Sequence, residues 1–70
     1  MKRFGEKLRT LRQRQGLTQK QLGDMLGVHQ THVWRLEQGK KTPNAAMILK
    51  IADIFGVTPN QLMLDDQELD

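Results

Sequence analysis

The segment from Thr18 to Gly39, TQKQLGDMLGVHQTHVWRLEQG, leaves the chain few folds to choose from. It reads as two short helices meeting at Gly27 with almost no connecting residues. Thr18 and Gln21 form a T-x-x-Q capping box, so the earlier helix starts there. Leu22, Met25 and Leu26 give its inward stripe. Gly27 ends it, because the left-handed turn expected there is closed to most other residues. The later helix runs from His29 or Gln30 to Gln38, with Val33 and Leu36 inward and Gly39 as its stop. Gly23 sits where the two helices must approach closely. Leu22, Leu26, Val28, Val33 and Leu36 then fill the angle between them.

The flanking sequence extends this to five helices and no strand. Phe4, Leu8 and Leu11 fall at i, i+4 and i+7, which predicts a first helix over 2–15, ended by Gly16. The two helices above occupy 18–26 and 29–38. Lys40-Lys41-Thr42-Pro43 is a loop, and Asn44 can cap a fourth helix over 44–55. Its inward residues are Met47, Ile48, Ile51, Ala52 and Phe55, and Gly56 follows. Thr58-Pro59-Asn60-Gln61 is a second T-x-x-Q box, with Pro at the first helical position, where its missing N–H costs nothing. It opens a fifth helix over 58–65 carrying Leu62, Met63 and Leu64. The expected architecture is all-α: a compact five-helix bundle over residues 1–66, with 67–70 as a frayed acidic tail.

Composition narrows the class. Seventy residues is near the lower limit for a chain that folds alone. There is no cysteine, which excludes disulfides and a Cys-based zinc site. The longest apolar run, Ala45 to Leu49, is five residues. A membrane span needs ~20 and a secretory signal roughly 7–15. The expected location is cytoplasmic. Charge is unevenly placed: residues 1–41 hold ten Lys and Arg against three acids, a net of +7, and residues 42–70 carry −4. A polyanion would be drawn to the first part. The plainer alternative is that these charges solvate helix faces.

Two helices at a tight turn, the second with a polar outward face, are the layout of a helix-turn-helix DNA reader, whose second helix lies in the major groove. An αα-corner in a protein-binding bundle is the alternative. If Val33 and Leu36 point inward, Gln30, Thr31, Trp34 and Arg35 point largely outward, with 30/34 and 31/35 stacked. Gln30 can pair bidentately with adenine and Arg35 with guanine; Thr31 can bond a base edge or place its methyl against thymine. A lone Trp is most often core, yet Trp34 lies off the inward stripe. Exposed, it would pack on sugar or thymine methyls, donate its N–H to a phosphate, or lie over a neighbouring helix.

The chain resembles the Cro/C1-type (XRE-like) helix-turn-helix family of phage repressors and small bacterial transcriptional regulators. The likeness covers residues 4–64. It rests on Phe4-Gly5-Glu6 with Leu8 and Leu11, Gly16-Leu17-Thr18-Gln19, Leu22-Gly23 and Leu26-Gly27-Val28. Val33 with Leu36-Glu37, Gly39-Lys40, and Ile51-Ala52 with Phe55-Gly56-Val57 extend it. The resemblance implies a lambda-repressor-like bundle with its helix-turn-helix at 18–38. It also implies a sequence-specific regulator that binds a near-palindromic operator as a dimer, in a prokaryotic or phage nucleoid setting. In this family a Gln matching Gln19 meets a phosphate where helix N–H groups also point. An Arg matching Arg12 pairs with a Glu matching Glu37, which predicts a structural ion pair holding the third helix against the first. Lys40 and Lys41, and more weakly Thr42 and Thr18, are the further phosphate candidates.

His29 departs from the family, which usually has Ser or Thr at the start of the third helix. A histidine is expected to cap less well, and to approach a base instead. His29 and His32 have i, i+3 spacing, but no third ligand is placed near them, so no metal is expected. No cofactor is expected. No phosphate loop or nucleophile–base arrangement is present, so the chain does not read as an enzyme. The rival reading is a protein-interaction module whose main partner is a toxin or an anti-repressor. Acidic residues on the third helix would favour it, and only Glu37 is there. The end of the fourth helix and the fifth, with Met63 or Leu64, are candidates for a dimer contact or for packing on the first helix.

Overall fold

The computed structural model describes residues 1–69 and, among them, contains five helices and no strand. They are α1 Phe4–Arg14, α2 Gln19–Leu26, α3 Gln30–Glu37, α4 Ala45–Phe55 and α5 Pro59–Met63. Among the described residues no helix is long and apolar enough to cross a membrane. One core joins all five: Phe4, Leu8 and Leu11 from α1, Leu22 and Leu26 from α2, and Val33 and Leu36 from α3. Ile48, Ile51 and Ala52 from α4 and Leu62 from α5 complete it. Each fully buried Leu or Ile contributes roughly 1.5–3 kcal/mol relative to exposure.

Local signals set most boundaries. Thr18 and Thr58 both form reciprocal capping boxes, with Gln21 and Gln61. Asn44 Oδ1 accepts the Met47 N–H at 2.8 Å. Three inward assignments change. Met25 is 46 % exposed. The buried face of α2 is Leu22, Gly23 and Leu26, and at 100° per residue Met25 falls well round the helix from its centre. Met47 and Phe55 are only half-buried at the core's edge.

The ends of the chain depart furthest from expectation. α1 starts two residues later than the periodicity predicts, with no side-chain cap of its own. Instead the Asp65 carboxylate accepts the Lys2 and Arg3 N–H groups, at 3.1 and 2.9 Å. α5 stops at Met63, and Leu64 is extended. The acidic residues after it are not frayed as far as Leu69. Gln61 Nε2 donates to the Glu68 and Leu69 carbonyls at 3.2 and 3.1 Å. Arg3 pairs with Glu68 at 2.8 Å, and Leu69 packs against the core. Asp70, the last residue of the expected tail, lies outside the described residues.

Lys7 explains why this segment folds back. Its side chain is almost completely buried. Its ammonium donates to the carbonyls of Gln61, Leu64 and Gln67, at 2.7, 2.7 and 2.6 Å. A buried ammonium has three hydrogens to satisfy. The last carbonyls of a helix lack intrahelical partners. Each needs what the other has, and the chain after α5 curls round Lys7 to supply the third acceptor.

Candidate nucleic-acid interface

The corner between α2 and α3 is fixed by backbone geometry. Gly27 is left-handed, with φ of 75°, and the Val28 N–H closes the turn on the Gly23 carbonyl at 2.9 Å. A Cβ at Gly23 would stand 2.7 Å from the Val28 carbonyl oxygen. No side chain fits there without moving the start of α3. From α4, Lys50 Nζ donates to the Leu26 carbonyl at 3.2 Å and ties down the C-terminal end of α2.

His29 is the N-cap of α3. Its Nδ1 accepts the Thr31 N–H at 3.0 Å, as a Ser or Asn oxygen would. The Thr31 hydroxyl lies 3.0 Å from the same nitrogen. The imidazole therefore stands at the mouth of α3 with one ring nitrogen committed. His32 is half-buried. Among the described residues no group of three or more His, Cys, Asp or Glu could hold a metal ion.

Below the cap, α3 buries Val33, Leu36 and Glu37. Gln30, Thr31, Trp34 and Arg35 are all exposed, on the side away from that stripe. Glu37 is the anchor. Arg12 Nε and Nη2 donate to its two oxygens at 2.7 and 3.0 Å, a bidentate pair linking α1 to α3. The third arm of Arg12, Nη1, donates to the Leu17 carbonyl at 2.9 Å. The hydrogen bonds that Arg12 donates to Glu37 raise its pKa above the ordinary value, against the opposing effect of burial.

Gln19 joins the same network, since its Nε2 donates to Glu37 Oε1 at 3.2 Å. One of its two amide hydrogens is thus turned inward, and the other remains for an outside acceptor. Thr18 is exposed beside it, with its hydroxyl oxygen accepting the Gln21 N–H.

Beyond α3 the chain reverses at Gly39, whose φ is 74°. Lys40, Lys41 and Thr42 emerge exposed just after α3. Lys40 Nζ stands 4.8 Å from the centroid of the Trp34 ring. The only acid of α3 is the buried, paired Glu37, so this face is basic without internal opposition. Not all of the N-terminal charge reaches solvent, however. Lys7 is enclosed, and Arg3 is shared between Glu6 and Glu68.

Every candidate base reader therefore lies on one exposed face, and the phosphate candidates flank it at the start of α2 and after α3. Three residues that brace the bundle were not singled out from sequence: Lys50, which ties down α2, and Lys7 and Asp65, which join α1 to the segment after α5. Lys7 had a detectable signal, because it lies at i+3 from Phe4 and i−4 from Leu11, on the apolar stripe itself. Lys50 and Asp65 had none, because their partners are distant in sequence.

Comparison with known proteins gives a consistent likeness. Residues 3–63 match the model of a family described as "Helix-turn-helix domain". The transcriptional activator BcrR of Enterococcus faecalis is 38% identical over 64 residues, covering 91% of this chain and 31% of that protein. The transcriptional repressor RghR of Bacillus subtilis (strain 168) is 39% identical over 64 residues, covering 90% of this chain and 47% of that protein. The chain thus spans a third to a half of the length of these two relatives. Among solved structures, the P22 c2 repressor in complex with a synthetic operator superposes with a TM-score of 0.83 at 27% identity. That match covers 90% of this chain and 96% of the repressor chain.

Proposed function

The chain belongs to the helix-turn-helix domain family, a family of DNA-binding transcriptional regulators and not of enzymes. From that premise we propose that it binds operator DNA with α3 in the major groove. The observation that carries this reading is the exposed row Gln30, Thr31 and Arg35, set opposite the buried Val33, Leu36 and Glu37. Long polar side chains on a rigid helix present donors and acceptors at the spacing of base edges. Gln30 reads adenine, Arg35 reads guanine, and Thr31 takes a base edge or a thymine methyl. His29 contributes only through the ring edge that the cap does not use. Gln19, Thr18, Lys40, Lys41 and Thr42 meet phosphates and set the register without reading sequence.

The protein acts on a near-palindromic site as a homodimer, with the exposed Leu64 at the contact. Met63 instead packs on its own core. The shared domain occurs in an activator in one relative and in a repressor in another. Occlusion of polymerase, and hence repression, is the outcome proposed here, within a prokaryotic or phage cytoplasm. The acidic α3 that a protein-interaction module would present is absent.

Selection from a random duplex library, with titration of the enriched site at several salt concentrations, tests this. A two-fold symmetric site bound with steep salt dependence is the expected result. Arg35→Ala should then relax preference at one base pair, at a cost of roughly 1–3 kcal/mol, while Lys41→Ala weakens all sequences alike. No enrichment, or variants that leave binding unchanged, would mean that this face does not read DNA.

A further inference from the structure

Trp34 is the one tryptophan of the chain, and it stands 40 % exposed in the middle of the proposed reading face. An exposed indole there needs a reason. The turn after α3 supplies one. The Gly39 and Lys40 N–H groups close back onto the Leu36 and Arg35 carbonyls, at 3.3 and 2.9 Å. These bonds return residue 40 to the last turn of the helix. Its ammonium then comes to rest over the Trp34 ring, 4.8 Å from the centroid. That distance is within the range in which the electron-rich face of an indole attracts a cation.

We propose that Trp34 is a positioning residue of the DNA interface: its ring holds the Lys40 ammonium in place, so that Lys40 meets a phosphate as an already ordered cation, and Trp34 selects no base. The proposal rests on the reading of α3 as the DNA-binding helix. Ordering a lysine side chain is among the larger entropic costs of any contact. Here the ring has met much of that cost before DNA arrives. The ammonium approaches the ring through one side only and keeps hydrogens to donate to phosphate oxygens. The ring, for its part, has that face occupied by the cation and closed to sugar or thymine methyls.

The test uses Trp34 as its own reporter. Without DNA, the side-chain methylene protons of Lys40 should be shifted upfield by the ring in the NMR spectrum. The shift should vanish in Trp34→Leu and persist in Trp34→Phe. Binding is then measured by titration of a random-sequence 20-bp duplex and of the selected duplex, for wild type, Trp34→Leu, Trp34→Phe, Lys40→Ala and the double variant Trp34→Leu/Lys40→Ala. Thermal melts confirm that each is folded. Trp34→Leu should weaken both duplexes alike, by about two- to fivefold. Lys40→Ala should weaken both and reduce the salt slope by about one. Removing Lys40 should cost less when Trp34 is already absent, and Trp34→Phe should recover most of the loss.

Strictly additive losses, a missing upfield shift in wild type, or a changed base preference in Trp34→Leu would each overturn the proposal, the last by making Trp34 a reader. If wild type bound neither duplex, the DNA reading and this inference would fall together. If wild type bound normally and only the coupling were absent, this inference alone would fall.

Discussion

The α2–α3 corner and the clasp between α1 and the end of the chain are built on opposite plans. The turn and caps of the corner are made between neighbours in sequence, with Arg12 and Lys50 bracing it from α1 and α4. Thr18 is capped against Gln21, Val28 closes on Gly23, and His29 caps Thr31. The clasp is assembled from residues more than fifty apart: Lys7 with Gln61, Leu64 and Gln67, and Asp65 with Lys2 and Arg3. The corner carries the surface that meets a partner, and the clasp carries none of it. A working face needs side chains aimed within narrow limits, and short-range bonds leave little freedom in how they are aimed. The clasp only has to hold, and one buried cation can gather three distant carbonyls to do so.

Removing each device tests that division. The largest effect is expected from Arg12→Ala, which strands the Glu37 carboxylate in the α1–α3 contact. A loss of roughly 3–5 kcal/mol is expected, with DNA binding lost as well, because α3 is released. Urea unfolding and duplex titration read the two effects. Lys7→Met should follow, at roughly 2–3 kcal/mol, since it leaves carbonyls without their charged donor. In contrast to Arg12→Ala, its folded fraction should bind DNA with affinity within about twofold of wild type. A larger loss of affinity would mean that the clasp reaches the reading face.

Gly27→Ala should cost about 1–2 kcal/mol, because it places a side chain at a left-handed position. Its effect on affinity should exceed its effect on stability, the reverse of Lys7→Met. The smallest effect belongs to Asp65→Asn and is a matter of pH. The Arg3 N–H is the main influence holding the Asp65 carboxyl below its ordinary pKa, against burial, with help from the Lys2 N–H. Its contribution is therefore present above the usual carboxyl range and disappears as pH falls through the folded value. Thermal melts of wild type and Asp65→Asn should differ most near neutrality and converge below about pH 4. A gap that persists in acid would show that the charge on Asp65 is not what fastens α1.

The same contrast explains what could be read from sequence. All five helices and the exposed row on α3 were legible, because capping boxes, glycine stops and apolar spacing are local signals. Arg12 and Glu37 were paired through family resemblance, not spacing. The cap that His29 makes on Thr31 was not legible, because ring nitrogens are rarer caps than hydroxyls, although Nδ1 also presents a lone pair. Met25 was misplaced because Gly23, having no side chain, drew the buried face of α2 towards itself. The tail was misread because an acidic run scores as solvated, and nothing nearby announces that Lys7 and Arg3 await it.

The bond from Asp65 to Lys2 and Arg3 also has a topological consequence. Residues near the two ends are hydrogen-bonded to each other, so the domain is close to a closed ring of five helices. Such a ring can be opened at another turn. A short Gly/Ser linker joining the ends, with new termini cut at the exposed Gln15–Gly16 turn, would leave α3 and both of its flanks uninterrupted. A circularly permuted chain of this kind should fold and present the same reading face, with its order of synthesis changed and its surface intact.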